Sequence, residues 1–194
     1  MYLLYEEDGH FKAGTIITDN ETSLQVDTQH GKRVKIKIIN VMMRFVTPAP
    51  AEFMEAAQHV RDDADADFLW EVASQDEFGF IDLATEYFGH VPTAIESAGI
   101  LMQLHASPMH FYKKGRGRYT AAPAESLTAA KAGVERIQRE AEQLAAYVPD
   151  LTAFKLPPEF RAQVNQVLYI PAQNQVMTTE VAAASKQTAL MPLT

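Results

Sequence analysis

Met109-His110-Phe111-Tyr112-Lys113-Lys114-Gly115-Arg116-Gly117-Arg118-Tyr119-Thr120-Ala121-Ala122 gathers four cations, three aromatic residues and two glycines into fourteen positions. Apolar and aromatic residues run up to a glycine-rich centre and away from it again. That pattern reads as a β-hairpin over 109–122, its glycines supplying positive φ at the tip. Upstream, Phe80 to Phe88 repeats apolar residues at helical spacing and stops at Gly89, a C-terminal glycine signal. Pro92 opens the next helix, with Thr93 and Ala94 in its first turn, and Ser107-Pro108 ends it. Helix, tight turn, helix, hairpin is the order of a winged-helix unit, in which the second helix and the wing face nucleic acid.

Further upstream, Ala51 to Arg61 and Ala66 to Val72 read as short helices, and Thr47-Pro48-Ala49-Pro50 separates them from residues of a different period. Phe11 to Thr18 and Ser23 to Asp27 flank a turn-rich group, Asp19-Asn20-Glu21-Thr22. Arg33-Val34-Lys35-Ile36-Lys37-Ile38 alternates strictly, so Val34, Ile36 and Ile38 share one face and Arg33, Lys35 and Lys37 the other. Val41 to Val46 makes a final strand. Four or five short strands on tight turns suggest a small SH3-like barrel. The expected fold class is therefore α+β: an N-terminal SH3-like β-barrel over 1–47 and a mainly helical winged-helix-like module over 51–150. Downstream of the hairpin a long helix is expected over 123–148, broken at Val148-Pro149-Asp150, with a further helical segment over 156–194.

The chain carries a net charge of −8, unevenly spread. Residues 1–47 balance six basic against six acidic side chains, residues 48–108 set twelve acids against Arg61 alone, and 109–124 hold four cations and no acid. With screening lengths of about 8–10 Å, a local positive patch binds phosphate on a molecule that is negative overall. Lys113, Lys114, Arg116 and Arg118 are the candidate nucleic-acid-binding cations, with Phe111, Tyr112 and Tyr119 as candidate stacking surfaces. Lys35 and Lys37, beside Lys32 and Arg33, form a second possible phosphate surface. The predicted second helix is poor in base-reading Arg, Lys and Asn, so sequence-specific major-groove readout is not expected.

Other chemistries find little footing. There is no cysteine, hence no disulfide, thiolate metal site or cysteine nucleophile. No run approaches the roughly 18 apolar residues that span a bilayer, and the first residues do not read as a signal peptide, so a cytoplasmic protein with no membrane partner is expected. Asp62-Asp63-Ala64-Asp65-Ala66-Asp67 lacks the turn glycine and distal Glu of a calcium loop and reads as a capped helix start. The six histidines show no metal-ligand spacing; His105 and His110, around the end of the second helix, could touch phosphate. No catalytic residue, metal site or cofactor is assigned to these 194 residues.

Four blocks carry a resemblance. Tyr5-Glu6-Glu7-Asp8-Gly9-x-Phe11-Lys12-x-Gly14-Thr15, Asp76-Glu77-Phe78-Gly79-Phe80, Glu86-Tyr87-Phe88-Gly89-His90, and Pro108-Met109-x-Phe111 through Arg118-Tyr119-x-Ala121-Ala122-Pro123 resemble the N-terminal region of bacterial ribonuclease II (VacB/RNB) exoribonucleases with a helix-turn-helix leader. The resemblance implies 3′-to-5′ hydrolysis of single-stranded RNA by a downstream RNB domain, where aspartates hold Mg²⁺. That domain is expected beyond Thr194. The resemblance implies for this chain the leader's role of guiding single-stranded RNA toward its own RNB domain, with Lys113, Lys114, Arg116 and Arg118 as RNA-binding cations, Phe111, Tyr112 and Tyr119 as stacking surfaces, and Lys35 and Lys37 as a second contact. A winged-helix DNA-binding transcriptional regulator and a protein-interaction module are the alternatives.

Overall fold

Alternating apolar positions in the first 45 residues build one antiparallel sheet. In the computed structural model, which describes residues 1–153, its strands are β1 (Tyr2–Glu7), β2 (His10–Asp19), β3 (Ser23–Thr28), β4 (Arg33–Lys37) and β5 (Val41–Phe45). A 3₁₀ turn, Ile38–Asn40, joins the last two, and the order across the sheet is β4-β3-β2-β1-β5. The ladders end at β4 on one side and β5 on the other. The sheet is thus open, and the closed barrel expected from the turn spacing is not formed by these ladders. Bulges between Leu4 and Tyr5 and between Ile16 and Thr18 locally bend the strands. The bent sheet encloses a core of Leu3, Tyr5, Leu24, Val26, Ile36 and Val41.

β1 explains itself once both its faces are seen. Leu3 and Tyr5 enter that inner core, whereas Leu4 points the other way and joins Ala13, Phe45, Phe53 and Ala57. A strand covered on both sides reads as a continuous apolar run, which is why Tyr2-Leu3-Leu4-Tyr5 does not alternate.

The second layer comprises α1 (Pro50–Asp63), α2 (Ala66–Val72), β6 (Phe78–Gly79), α3 (Phe80–Phe88), α4 (Ala94–Ala106), β7 (Phe111–Gly115) and β8 (Arg118–Ala121). The short strands pair in the order β6-β8-β7. α4 begins later than Pro92 suggests, because Thr93 caps it rather than joining its first turn. The Thr93 hydroxyl accepts from the Glu96 N–H at 3.2 Å, and the Glu96 carboxylate accepts from the Thr93 N–H at 2.7 Å. Asp65 caps α2, its carboxylate accepting from the N–H groups of Asp67 and Phe68. The Asp-rich run therefore serves as a helix cap, and among the described residues no cluster of His, Asp and Glu could hold a metal ion.

The Thr47–Pro50 stretch marks a change of element type but not of core. Phe45 stacks on Phe53 with ring centroids 3.7 Å apart, and the apolar cluster runs from Leu4 through α1 and α4 to Tyr119. Residues Met1–Leu127 accordingly form one compact unit, and the division from the second falls inside α5 (Ala124–Thr152). α5 does not break at Val148-Pro149 as the sequence suggests. Pro149 lacks an N–H, but the next turn closes again, with the Ala153 N–H donating to the Pro149 carbonyl at 3.0 Å. The helical segment expected over 156–194 lies outside the described residues. No helix among the described residues is long and apolar enough to cross a membrane.

Candidate nucleic-acid interface

The pleat of the β7–β8 hairpin divides its cations into two sets. Phe111 pairs with Ala121 and Lys113 with Tyr119, so these four side chains share the face turned toward the core. Tyr112 pairs with Thr120 on the opposite face, and Arg118, next to Tyr119, belongs there too. Phe111 and Tyr119 are only 2 % and 1 % exposed, and both belong to the apolar cluster. The expectation that they stack on bases is thus overturned: they anchor the hairpin. Tyr112, 42 % exposed, is the one aromatic of the three with a face open to a ligand.

Lys113 and Arg116 reach from the hairpin to the first sheet. The Lys113 ammonium donates to both oxygens of Glu6 on β1, at 2.6 and 2.7 Å. The Arg116 guanidinium donates to the Ile38 carbonyl in the 3₁₀ turn at 3.1 Å. Between them opens a cleft of about 390 Å³, lined by Glu6, Asp8, Ile39, Asn40, Lys113 and Arg116, whose acidic wall does not suit phosphate. On the outer face Arg118 pairs with Glu77. Both pairs lie at the surface, where an ion pair is worth only about 0–1 kcal/mol. On the outer face a phosphate can therefore replace Glu77 at Arg118 at little cost. Lys114 is exposed and makes no hydrogen bond or ion pair among the described residues.

Lys35 and Lys37 stand on β4, an edge strand, with Ile36 between them buried in the inner core. Both are exposed and unpartnered among the described residues, whereas Arg33 is bound to Asp27 at 3.0 Å. Ile38, which Arg116 reaches, directly follows Lys37, so the β4 edge and the hairpin tip are neighbours. The histidines are withdrawn from this surface. His110 is buried, with Nε2 at 2.8 Å from Asp67, and His105 meets the Gly9 carbonyl at 3.0 Å and the edge of Phe11. Neither offers its ring to a strand in the way the sequence allowed.

Burial sets the protonation of the hairpin's anchor. It pushes the Tyr119 hydroxyl up to about 12, with the Glu6 charge adding in the same direction. The partners of the cations were beyond the reach of sequence reasoning, because Glu6 and Lys113 lie 107 positions apart and Ile38 and Arg116 lie 78 apart. Compared with family models, with curated proteins and with solved structures, the chain finds no match.

Proposed function

We propose that residues 1–127 form an RNA-binding unit that guides single-stranded RNA in a ribonuclease II-type exoribonuclease, with hydrolysis carried out by an RNB domain outside these residues. The observation that carries this reading is the outer face of the hairpin. Tyr112, Lys114 and Arg118 stand together in solvent on a stalk fixed by Phe111 and Tyr119. An aromatic face next to exposed cations suits a flexible strand, whose bases stack while its phosphates are neutralised. Lys35 and Lys37 extend the track along the β4 edge.

The connectivity supports the finer fold reading. A meander whose fifth strand returns to β1 after a 3₁₀ turn is SH3-like. A short strand, two helices and a hairpin, with the short strand joining the hairpin in the order β6-β8-β7, are winged-helix-like. The helix that would read DNA does not favour the regulator alternative. From Ser97 to Met102 every residue of α4 is buried, which leaves no continuous face for a major groove.

The test is binding of a fluorescent oligo(U) dodecamer, followed by anisotropy across a salt series. Replacing Tyr112, Lys114 and Arg118 together by Ala weakens binding at least about tenfold and makes the salt dependence shallower by about 0.7 for each phosphate no longer neutralised. Glu77→Gln releases Arg118 and tightens binding about two- to threefold, as expected when a weak surface ion pair is removed. Unchanged affinity in the triple variant removes the reading. A marked preference for one duplex DNA sequence would put the regulator in its place.

A further inference from the structure

α5 carries an apolar repeat that extends beyond the core of the first unit. Leu127, Ala130, Val134, Ile137, Ala141, Leu144 and Val148 follow one another at alternating steps of three and four. On a helix that spacing draws one narrow stripe, the a and d positions of a heptad. Leu127, the first of them, is 5 % exposed and belongs to the first unit. Val134 and Ile137, in the middle of the stripe, are 51 % and 62 % exposed. Among the described residues no other element makes more than a marginal contact with α5. No charged residue falls on the stripe. The polar side chains lie beside it, where Arg136 pairs with Glu140 at 3.7 Å and Gln138 donates to Glu142 at 3.1 Å. Between Leu127 and Val148 the three cations Lys131, Arg136 and Arg139 balance the three acids Glu135, Glu140 and Glu142, on a chain whose net charge is −8.

We propose that this stripe is a self-association seam, along which α5 of one copy packs against α5 of a second copy as a short two-stranded coiled coil. The repeat selects a helix as its occupant. Side chains at steps of three and four act as knobs, and they need the holes of a helix with the same repeat. A second copy supplies that repeat along the whole stripe. Charge points to the same occupant. Two copies meeting through residues 48–108 would each bring twelve acids against Arg61 alone, whereas through residues 127–148 they bring segments of zero net charge. A nucleic acid finds no cation on the stripe. From Ala130 to Val148 the seam is about 27 Å long, at about 1.5 Å per residue. With two alanines among those six positions it buries less than the roughly 800 Å² per partner of a standard interface, so association is weak, with a dissociation constant on the order of 10–100 μM. None of this rests on the RNA-binding reading.

The experiment is sedimentation velocity of the full chain across a concentration series from about 1 to about 300 μM, bracketing that constant. The weight-average mass should rise from one copy toward two. Ile137→Glu sets a carboxylate from each copy in the middle of the seam while keeping a good helix former there, and should raise the dissociation constant at least about tenfold. Ala132→Glu adds the same charge at an exposed position on the opposite face of α5, and should leave the constant within about twofold. Urea unfolding followed by Trp70, which lies in the first unit, should give the same midpoint for both variants as for the parent, so that loss of the dimer is not loss of the fold. The variant lacking Tyr112, Lys114 and Arg118 should dimerise like the parent, which separates this seam from the RNA reading. A single-copy mass at every concentration overturns the proposal; if Ile137→Glu then also lowers the melting temperature, the stripe is covered from within its own chain. Equal weakening by Ile137→Glu and Ala132→Glu, or weakening by neither, places the contact elsewhere and overturns it as well.

Discussion

Gly117 joins the fold to the candidate interface through a single missing methyl group. It sits at the hairpin tip with φ 62°, in the left-handed region, and its carbonyl accepts from the Phe80 N–H at 3.0 Å. A Cβ at this position would lie 2.8 and 2.9 Å from Cδ1 and Cε1 of the Phe80 ring. Phe80 is 6 % exposed and held among Leu83, Phe78 and Tyr119, so it has little room to yield. For Gly117→Ala the left-handed backbone costs about 1–2 kcal/mol and the overpacking about 1–3 kcal/mol more, giving about 2–4 kcal/mol in all. Gly115→Ala is the control: that position has a negative φ and its added methyl would enter open space. Urea unfolding followed by Trp70 fluorescence reads the difference well. Trp70 is the one tryptophan in the chain, and its indole N–H donates to the Ala122 carbonyl at the base of the hairpin, at 2.8 Å. Gly115→Ala should stay within about 0.5 kcal/mol of the parent. If Gly117→Ala proves as stable as Gly115→Ala, the docking of α3 on the hairpin tip is wrong, and with it the rigid stalk on which the RNA reading depends.

Three further outcomes follow from the α4 cap and the buried Tyr119 hydroxyl. Thr93→Ala removes the cap of α4 and costs about 1 kcal/mol in urea unfolding. The Glu96 carboxyl is held below its ordinary value, first by the Thr93 N–H and further by the Thr93 hydroxyl and His90. Its stabilisation is thus present above the unfolded carboxyl's range and is lost as pH falls through the lowered folded value. Glu96→Gln should flatten the acid limb of a melting-temperature profile; an unchanged limb would refute the capping box. For Tyr119 the sign is opposite in pH. With the folded hydroxyl at about 12 and the unfolded one near 10, the unfolded chain gives up its proton first, and stability declines as pH rises through that window. Tyr119→Phe should reduce this alkaline decline without lowering the melting temperature at neutral pH, because the hydroxyl has no hydrogen-bond partner among the described residues. A loss of several degrees at pH 7 would contradict the unpartnered assignment.

Much of the framework was legible because it is periodic. The apolar spacing of Phe80 to Phe88 with Gly89 after it gave α3, and glycines between apolar runs gave the β7–β8 hairpin. β1 was missed as a separate strand because Leu3, Leu4 and Tyr5 are all buried, and a run covered on both faces shows no alternation. β6 has only two residues, Phe78 and Gly79, too short for any period. At the interface the cations themselves were plain, but their status was not. Glu77 is 41 positions from Arg118, and nothing local signals that pairing.

Four cations within six positions look like one patch in sequence, yet a strand period of two does not let them act as one. Lys113 falls on the face of Phe111 and Tyr119 and is drawn to Glu6, whereas Arg118 and the exposed Lys114 face water. The inner ion pair is too exposed to stabilise much, at about 0–1 kcal/mol, so it orients the hairpin rather than holding it. Holding falls to the apolar anchors, each worth about 1.5–3 kcal/mol when fully buried. The physical division is thus between side chains that fix the stalk and side chains the stalk presents. A ligand that needs phosphate contacts must use the presented set, Lys114 and Arg118 with Tyr112 beside them. It follows that Lys113→Ala should weaken RNA binding less than Lys114→Ala despite their adjacency; equal losses from the two would mean that the Glu6 pairing opens when a strand arrives.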